Sequence, residues 1–594
     1  MVSSINTSGI SVDNNGKVTL SGFASSVDSK AIIDATITAK RIPAVKLEAK
    51  ITKNQSAIAA LGDLKSLVST LRTSMDQLRG SNSFLSDNVF KSKLASGTTA
   101  AASGAPGTHV PSDITALVSV AVQDTAQVGT HTLNITQIAK ANQIRSDAFT
   151  AKDTALTGLG VTAGDILVNG VTVTIDSDDS LIDLRGKINA SNAGVTATIV
   201  SADATTHYLV LTSTETGQDF AIDLDVGSTT SDDLGLTTNL PSAGTIKNEL
   251  VVAQNAIFSV DGITGIERAS NDVDDVIEGM TISLLKGEAD TDITLKIEPD
   301  LISIKTAVSD FVTAYNDIRA FYTDQRTTSD RNEDGVIDDA EFGVLATDTT
   351  LRQIVDRLGQ VAAGQVSNNT DGYRSLSQVG ITVNSDYQLE LDDSVFDSKL
   401  ITDVDSFRTL FGFDFTSSDS RLASLGRTAN TQSGTYYLSL SGTDVDGNLL
   451  SANLTTVAAT GTGGADDGSL VVSGKQGTAS DQTNANGLLL FFNGTPSLGA
   501  VNDIQVTVSR GVIDSFFDYF DELVTVSGSL DTRINNLTSD NLNYQEDIDL
   551  IDTRLETTRT TLELKYVRME TALAKLESLR NTLSSYFDTQ NSSS

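Results

Sequence analysis

An apolar stripe that recurs every seven residues runs through the last sixty or so residues and constrains this chain more than any other feature. Ile534, Asn541, Ile548, Leu555, Leu562, Met569, Leu576 and Leu583 fall at one seam position, and only Asn541 among them is polar. Leu530, Leu537, Tyr544, Ile551, Thr558, Lys565, Ala572 and Leu579 fall at the other, which is weakened at Thr558 and Lys565. Such spacing predicts a coiled-coil helix whose oligomer seam is Ile534, Leu537, Ile548, Ile551, Leu555, Leu562, Met569, Leu576 and Leu583. As one helix, residues 529–587 span about 90 Å, too long to hide the stripe in one small core, so partner helices are needed.

The opposite end of the chain offers a second arm. Leu47, Ile51, Ile58 and Leu61 recur at steps of four, seven and three. Leu64, Val68, Leu71, Met75 and Leu78 continue after a one-step change of register, the spacing of a coiled-coil stammer. Pro43 interrupts or restarts this pattern. Periodicity alone leaves two arrangements open, an internal helical hairpin and a seam shared between molecules. Asn541, Thr558 and Lys565 break the apolar ladder, either to fix register or to limit irreversible zippering.

Between the arms the pattern is of another kind. Residues 81–114 are small and polar, with Gly97, Gly104, Pro106 and Gly107, and read as a linker. Val118, Val120 and Val122, then Leu133, Ile135 and Ile138, mark two strands joined by a turn, and strand signals continue to about residue 300 with one short helix over Ser180 to Asn189. Ile304, Val308, Phe311, Tyr315 and Ile318 open a helical region, and residues 434–510 return to alternating strands. The expected fold is α+β and multidomain: terminal coiled-coil arms packed with a helical leg, β-rich heads in the middle and an inserted β domain. Boundaries fall at 1–21 (flexible start), 22–80 (arm), 81–114 (linker), 115–146 with 250–300 (first head), 147–249 (second head), 301–433 (leg), 434–510 (insert) and 511–594 (arm).

Composition narrows the partners. Forty-one basic against 77 acidic residues give a net charge of −36, which disfavours nucleic acid and anionic membrane surfaces. There is no cysteine, hence neither a disulfide framework nor a thiolate metal site. No apolar run approaches the roughly 20 residues of a membrane span. The first twenty residues lack the basic start and apolar block of a cleaved secretory signal, so any export is expected to use another route. His109, His131 and His207 have no paired spacing, and no nucleophile elbow, Walker loop or dinucleotide fingerprint is present; the chain is not expected to be an enzyme.

One local motif carries chemistry. Residues 330–341 match the calcium loop of an EF-hand. Asp330, Asn332 and Asp334 supply side-chain oxygens, Gly335 the sharp turn, Val336 a carbonyl, Asp338 a direct or water-mediated ligand and Glu341 the closing bidentate carboxylate. A structural Ca2+ is therefore expected; the plainer alternative is a hydrated acidic turn. Asp444-Val445-Asp446-Gly447 is a fragment of such a loop and reads as a β-turn.

Five ordered segments resemble the flagellar filament cap protein family, also called hook-associated protein 2. They are Ser21-Gly22-Phe23-Ala24-Ser25 with Lys40-Arg41-Ile42-Pro43; residues 126–139 around Gly129-Thr130-His131; Ser180 to Ala190 with Gly194 to Thr198; Phe258 to Gly262 with Asp272 to Thr281; and, in the carboxyl half, Phe311 to Asp317, Ser375 to Thr382 and Leu564 to Glu570. The resemblance implies a chain exported unfolded, which forms a homo-oligomer at the distal end of the filament and promotes insertion of flagellin. It implies hook–filament junction proteins and an export chaperone as further partners, and an extracellular location. The alternative function is a secreted adhesion module that binds a host or environmental surface through its β domains.

Overall fold

The computed structural model describes residues 10–12, 18–20, 28–80, 88–225, 228–238, 245–327, 342–367, 369, 372–443, 449–455, 466–473, 476–479, 485–492 and 501–591. Two compact units divide the chain: Met1–Ser86 with Lys305–Ser594, and Asp87–Ile304.

In the unit Asp87–Ile304, period-two burial makes the strands. Along Thr291–Pro299 the residues Thr291, Ile293, Leu295 and Ile297 are buried while their neighbours face outward. That strand lies in an antiparallel five-stranded sheet in the order Ile263–Arg268, Ala256–Val260, Gly129–Gln137, Thr291–Pro299, Lys93–Ala101. A three-stranded sheet of Asp272–Val273, Met280–Leu284 and Val118–Val122 shares its core, in which Leu133, Phe258, Ile282 and Leu295 are buried. Val118–Val122 and Gly129–Gln137, expected as two strands joined by a turn, lie in different sheets: the first pairs with Met280–Leu284, a pairing that Gln123 N extends by donating to Gly279 O at 2.8 Å.

The expected linker contains a strand, and this corrects the boundary 81–114. Lys93–Ala101 pairs with Thr291–Pro299 over all nine residues. It is an edge strand of small side chains, so no apolar alternation advertises it. Smallness is required there: a Cβ on Gly97 would sit 2.8 Å from Thr294 O and overlap the Ile114 side chain.

A second core in this unit gathers Ile144, Ile166, Leu184, Leu209, Leu211 and Leu236. Its helix Leu181–Ala190 starts with a capping box, Ser180 and Asp183 each accepting from the other's backbone N–H. It is not the sole short helix, since Ile114–Leu117 and Thr229–Asp233 are helical too.

Acid should weaken this unit. The Glu288 carboxylate accepts from Lys286 Nζ at 2.6 Å, from Ser112 N and Oγ at 2.9 and 2.6 Å and from Thr291 Oγ1 at 2.7 Å. The Lys286 bond first, then those from Ser112 and Thr291, hold it well below the usual carboxylate range. A carboxyl group held low stabilises the fold above its unfolded value of about 4.3, and that contribution is lost as pH falls below it. Thermal unfolding followed by circular dichroism should show Glu288→Gln melting below wild type at neutral pH, with the gap narrowing on acidification; a gap that does not depend on pH would contradict this account.

The other unit is built on helices. Ser29–Arg79, Val512–Val524 and Ser529–Asn591 pack together beside Leu301–Arg326, Thr349–Ala362, Asp393–Thr402 and Val404–Phe411. Phe396, Phe407 and Phe411 are fully buried, with Phe396 and Phe407 edge to face at 5.0 Å. An eight-stranded sheet is described in the same unit, in the order Phe413–Ser417, Val501–Arg510, Gly434–Thr443, Leu449–Thr455, Asp466–Ser473, Gln476–Ala479, Leu489–Phe492, Leu422–Gly426. The β insert thus begins at Phe413, ahead of the expected 434. Gly412 and Gly511 bracket its root: Gly511 N donates to Gly412 O at 2.6 Å, and a Cβ on Gly412 would overlap the Arg79 carbonyl.

Candidate assembly site: the paired terminal arms

Both arms are single helices, of 51 and 63 residues. Pro43 does not end the first one. It leaves the Ala39 carbonyl without its helical donor, but the flanking residues are held: Ala44 is fully buried, and Arg41 Nε and Nη2 each lie 2.9 Å from the two Asp552 oxygens. The second arm is shorter than the expected 511–594. A turn at Thr525–Gly528, with Ser527 at φ 64°, separates the helix Val512–Val524 from the arm that starts at Ser529.

The arms run antiparallel. Asp34 meets Arg559 at 2.7 Å, Arg41 meets Asp552, Asn54 Nδ2 donates to Asn541 Oδ1 at 3.0 Å, and Lys65 meets Asp531 at 2.5 Å. Each partly exposed ion pair contributes only about 0–1 kcal/mol; their use is to set direction and register. Adhesion of the arms comes from apolar burial. Leu61, Leu64, Val68, Leu71, Met75 and Leu78 on the first arm are buried, as are Leu530, Ile548 and Leu555 on the second and Phe517, Phe520 and Leu523 on Val512–Val524.

Of the expected seam, Ile548 and Leu555 are buried, and Ile534, Leu537, Ile551 and Leu562 are half-buried. The remainder is different: Met569, Leu576 and Leu583 are exposed, Leu576 by 62% and Leu583 by 56%. The intramolecular pairing therefore accounts for the proximal half of the stripe and leaves the distal half uncovered. Of the two arrangements that periodicity left open, the hairpin is present near the body, and the seam beyond it is bare.

Asn54 was missed. The step of seven between Ile51 and Ile58 spans it, and its polarity hid it from an apolar pattern. It fills the vacant seam position and pairs with Asn541, so the polar break in one arm answers the polar break in the other. This favours register control over the limiting of zippering. Asn541→Leu should leave Asn54 facing an apolar partner and let the arms slip: oxidised cysteine pairs placed across the seam, in a chain that has none of its own, should form in one register in wild type and in several in the variant. A single register in both would remove the assignment.

The calcium-loop residues Asp330, Asn332, Asp334, Val336, Asp338 and Glu341 lie outside the described residues, as does the Asp444–Gly447 turn. Among the described residues, no group of three or more acidic or histidine side chains is arranged to hold a metal, and no helix is long and apolar enough to cross a membrane.

Residues 253–578 match the sequence model of the flagellar hook-associated protein 2 C-terminus, which alone covers more than half of the chain, and residues 25–142 match that of its N-terminus. The chain belongs to the flagellar hook-associated protein 2 family. Its function is that of a flagellar filament cap. Residues 158–215 match the flagellin hook IN motif. Similar relatives are the A-type flagellar hook-associated protein 2 of Pseudomonas aeruginosa, 27% identical over 67% of this chain and 80% of the relative, and the flagellar hook-associated protein 2 of Campylobacter jejuni, 25% identical over 97% and 99%. Among solved structures, the D1-D2-D3 domains of the Escherichia coli flagellar cap protein FliD are 25% identical and align over 59% of this chain and 89% of that one, with a TM-score of 0.43. The two terminal matches span most of both arms, the elements that the seam geometry singles out.

Proposed function

We propose that the protein forms a homo-oligomeric cap at the distal tip of the filament and promotes insertion of exported flagellin, as a structural component and not as an enzyme. The observation that carries this is the half-covered seam: the proximal arms are paired within the molecule, while Met569, Leu576 and Leu583 present an apolar stripe that water does not favour. A seam of this kind suits packing in a shared axial bundle. Export without a cleaved signal, an export chaperone and the hook–filament junction proteins complete the reading as partners of the unfolded and the assembled chain. No observation favours the adhesion module. Deleting the gene should leave cells that shed unpolymerised flagellin into the medium and bear few filaments; normal filaments with lost surface attachment would overturn the reading.

Calcium binding by residues 330–341 is a second proposal, supported from the described flanks. Gly343 N donates to Gln325 O at 3.0 Å and Leu345 N to Gln325 Oε1 at 3.1 Å, which brings the two ends of that segment together. A loop whose ends are already joined loses less entropy when an ion orders it. Titration calorimetry should give binding at or below millimolar calcium that Glu341→Gln weakens; no heat in either protein would end the proposal.

A further inference from the structure

On the helical unit, a cavity of about 740 Å3 opens between the first arm and the segment Phe342–Arg352. Among the described residues its lining combines Ala49, Phe342 and Val344 with the cations Lys53, Arg326 and Arg352, and includes no carboxylate. That is unusual in a chain with 77 acidic and 41 basic residues. Elsewhere in this unit cations are commonly paired, as in Arg41 with Asp552, Lys305 with Asp397 and Arg408 with Asp414. Among the described residues Lys53, Arg326 and Arg352 have no ion pair. Arg326 is held by its own helix, its guanidinium over the Tyr322 ring at 5.4 Å and Nη1 donating to the Tyr322 hydroxyl at 3.1 Å.

The walls are fixed before anything binds. Gln325 ties both Gly343 and Leu345 through the bonds described above, Leu345 is buried, and Asp348 caps the helix Thr349–Ala362 by accepting from Thr350 N and Leu351 N at 2.8 and 3.1 Å. A preformed concavity with an apolar floor and a cationic rim selects a short segment that carries an apolar side chain beside carboxylates.

The same unit displays such a segment. At the corner between Asp393–Thr402 and Val404–Phe411, Ile401 is 71% exposed, and the Asp405 side chain is 91% exposed, only 3.4 Å from an Arg408 that is better satisfied by Asp414 at 2.7 Å. We infer that the cavity receives the Ile401–Asp405 corner of a second copy of this chain, Ile401 on Phe342 and Val344 and Asp405 against Lys53 and Arg352. This contact is heterologous, one patch meeting a different patch, the kind that builds a ring. Opposite charges at the contact also offset the mutual repulsion of chains that each carry −36. The inference deepens the self-association proposed above and rests on it.

Absence of native cysteine makes the test direct. Val344→Cys and Ile401→Cys are made in separate full-length chains, mixed and oxidised mildly. The expected product is a disulfide-linked dimer containing one of each; failure to form it, while mixtures of wild type still associate, overturns the contact alone. Light scattering over a concentration series supplies the energetic arm. The pair Lys53→Asp and Arg352→Asp should weaken association at least tenfold with helical content unchanged, and adding Asp405→Lys to those chains should restore most of it. Association of the Lys53→Asp, Arg352→Asp chain at wild-type strength, or a shift in its calcium affinity with no change in association, assigns the cations to another partner, the acidic segment 328–341 included, and overturns the inference. If wild type stays monomeric throughout, it is the self-association reading that fails.

Discussion

Asp514→Ala is expected to lower the stability of the helical unit by about 3–5 kcal/mol, the range for removing one member of a buried ion cluster. Asp514 is fully buried and accepts from the guanidinium of Arg427, itself fully buried, and from Arg510 Nε at 3.0 Å. Asp518 takes the other ends of both arginines, at 3.1 Å from Arg427 and 2.9 Å from Arg510. Without Asp514 two guanidinium groups share one partly exposed carboxylate, and Arg427 has no route to water. Because Arg427 follows the strand Leu422–Gly426 within the β insert, Arg510 ends its last strand and Asp514 lies in the first turn of the next helix, the loss should loosen the insert at its root. Urea unfolding with an unchanged slope and a lowered midpoint would be the signature. A loss below about 1 kcal/mol would mean that the cluster is hydrated in solution and that its burial has been overstated.

Leu71→Asp should have the larger consequence for assembly. Leu71 is fully buried in the seam of the first arm, among Val68, Met75 and the residues of Val512–Val524. A carboxylate there has no partner, and burying it unpaired costs more than about 4 kcal/mol, so the local alternative is to part the helices. Separated arms should lose helical circular dichroism while the β-rich unit Asp87–Ile304 keeps its own transition. Cells that carry the variant should release unpolymerised flagellin much as a deletion does. Retained helicity together with normal filaments would show that pairing within one molecule is dispensable for capping.

What the sequence reveals follows from how each element is stabilised. The second arm was legible because seven-residue spacing is all that a long amphipathic helix needs, and the first was legible from Leu47 onward for the same reason. Pro43 misled because a proline inside a helix is a local penalty, while its tolerance here depends on Ala44 and on a salt bridge to a residue more than five hundred positions away. Lys93–Ala101 was hidden because an edge strand squeezed against Ile114 and Thr294 needs small residues, and small residues read as linker. The seam position at Asn54 was hidden by its polarity, and its meaning appears only opposite Asn541. In the root cluster Arg510, Asp514 and Asp518 follow one another at steps of four, but no spacing betrays Arg427, which is brought to Asp514 by the six strands folded between them.

The antiparallel pairing of the arms has a temporal side. Arg41 and Asp552 lie 511 residues apart, so nearly the whole chain must have arrived where it folds before the first helix meets the second. Every intervening domain can fold on its own shorter-range contacts first, whereas the amino-terminal helix waits with Leu61, Leu64, Val68 and Leu71 bare. The arm hairpin closes last, and a truncated product that lacks the final helix never closes it, which makes that hairpin a test of whether the whole chain has arrived.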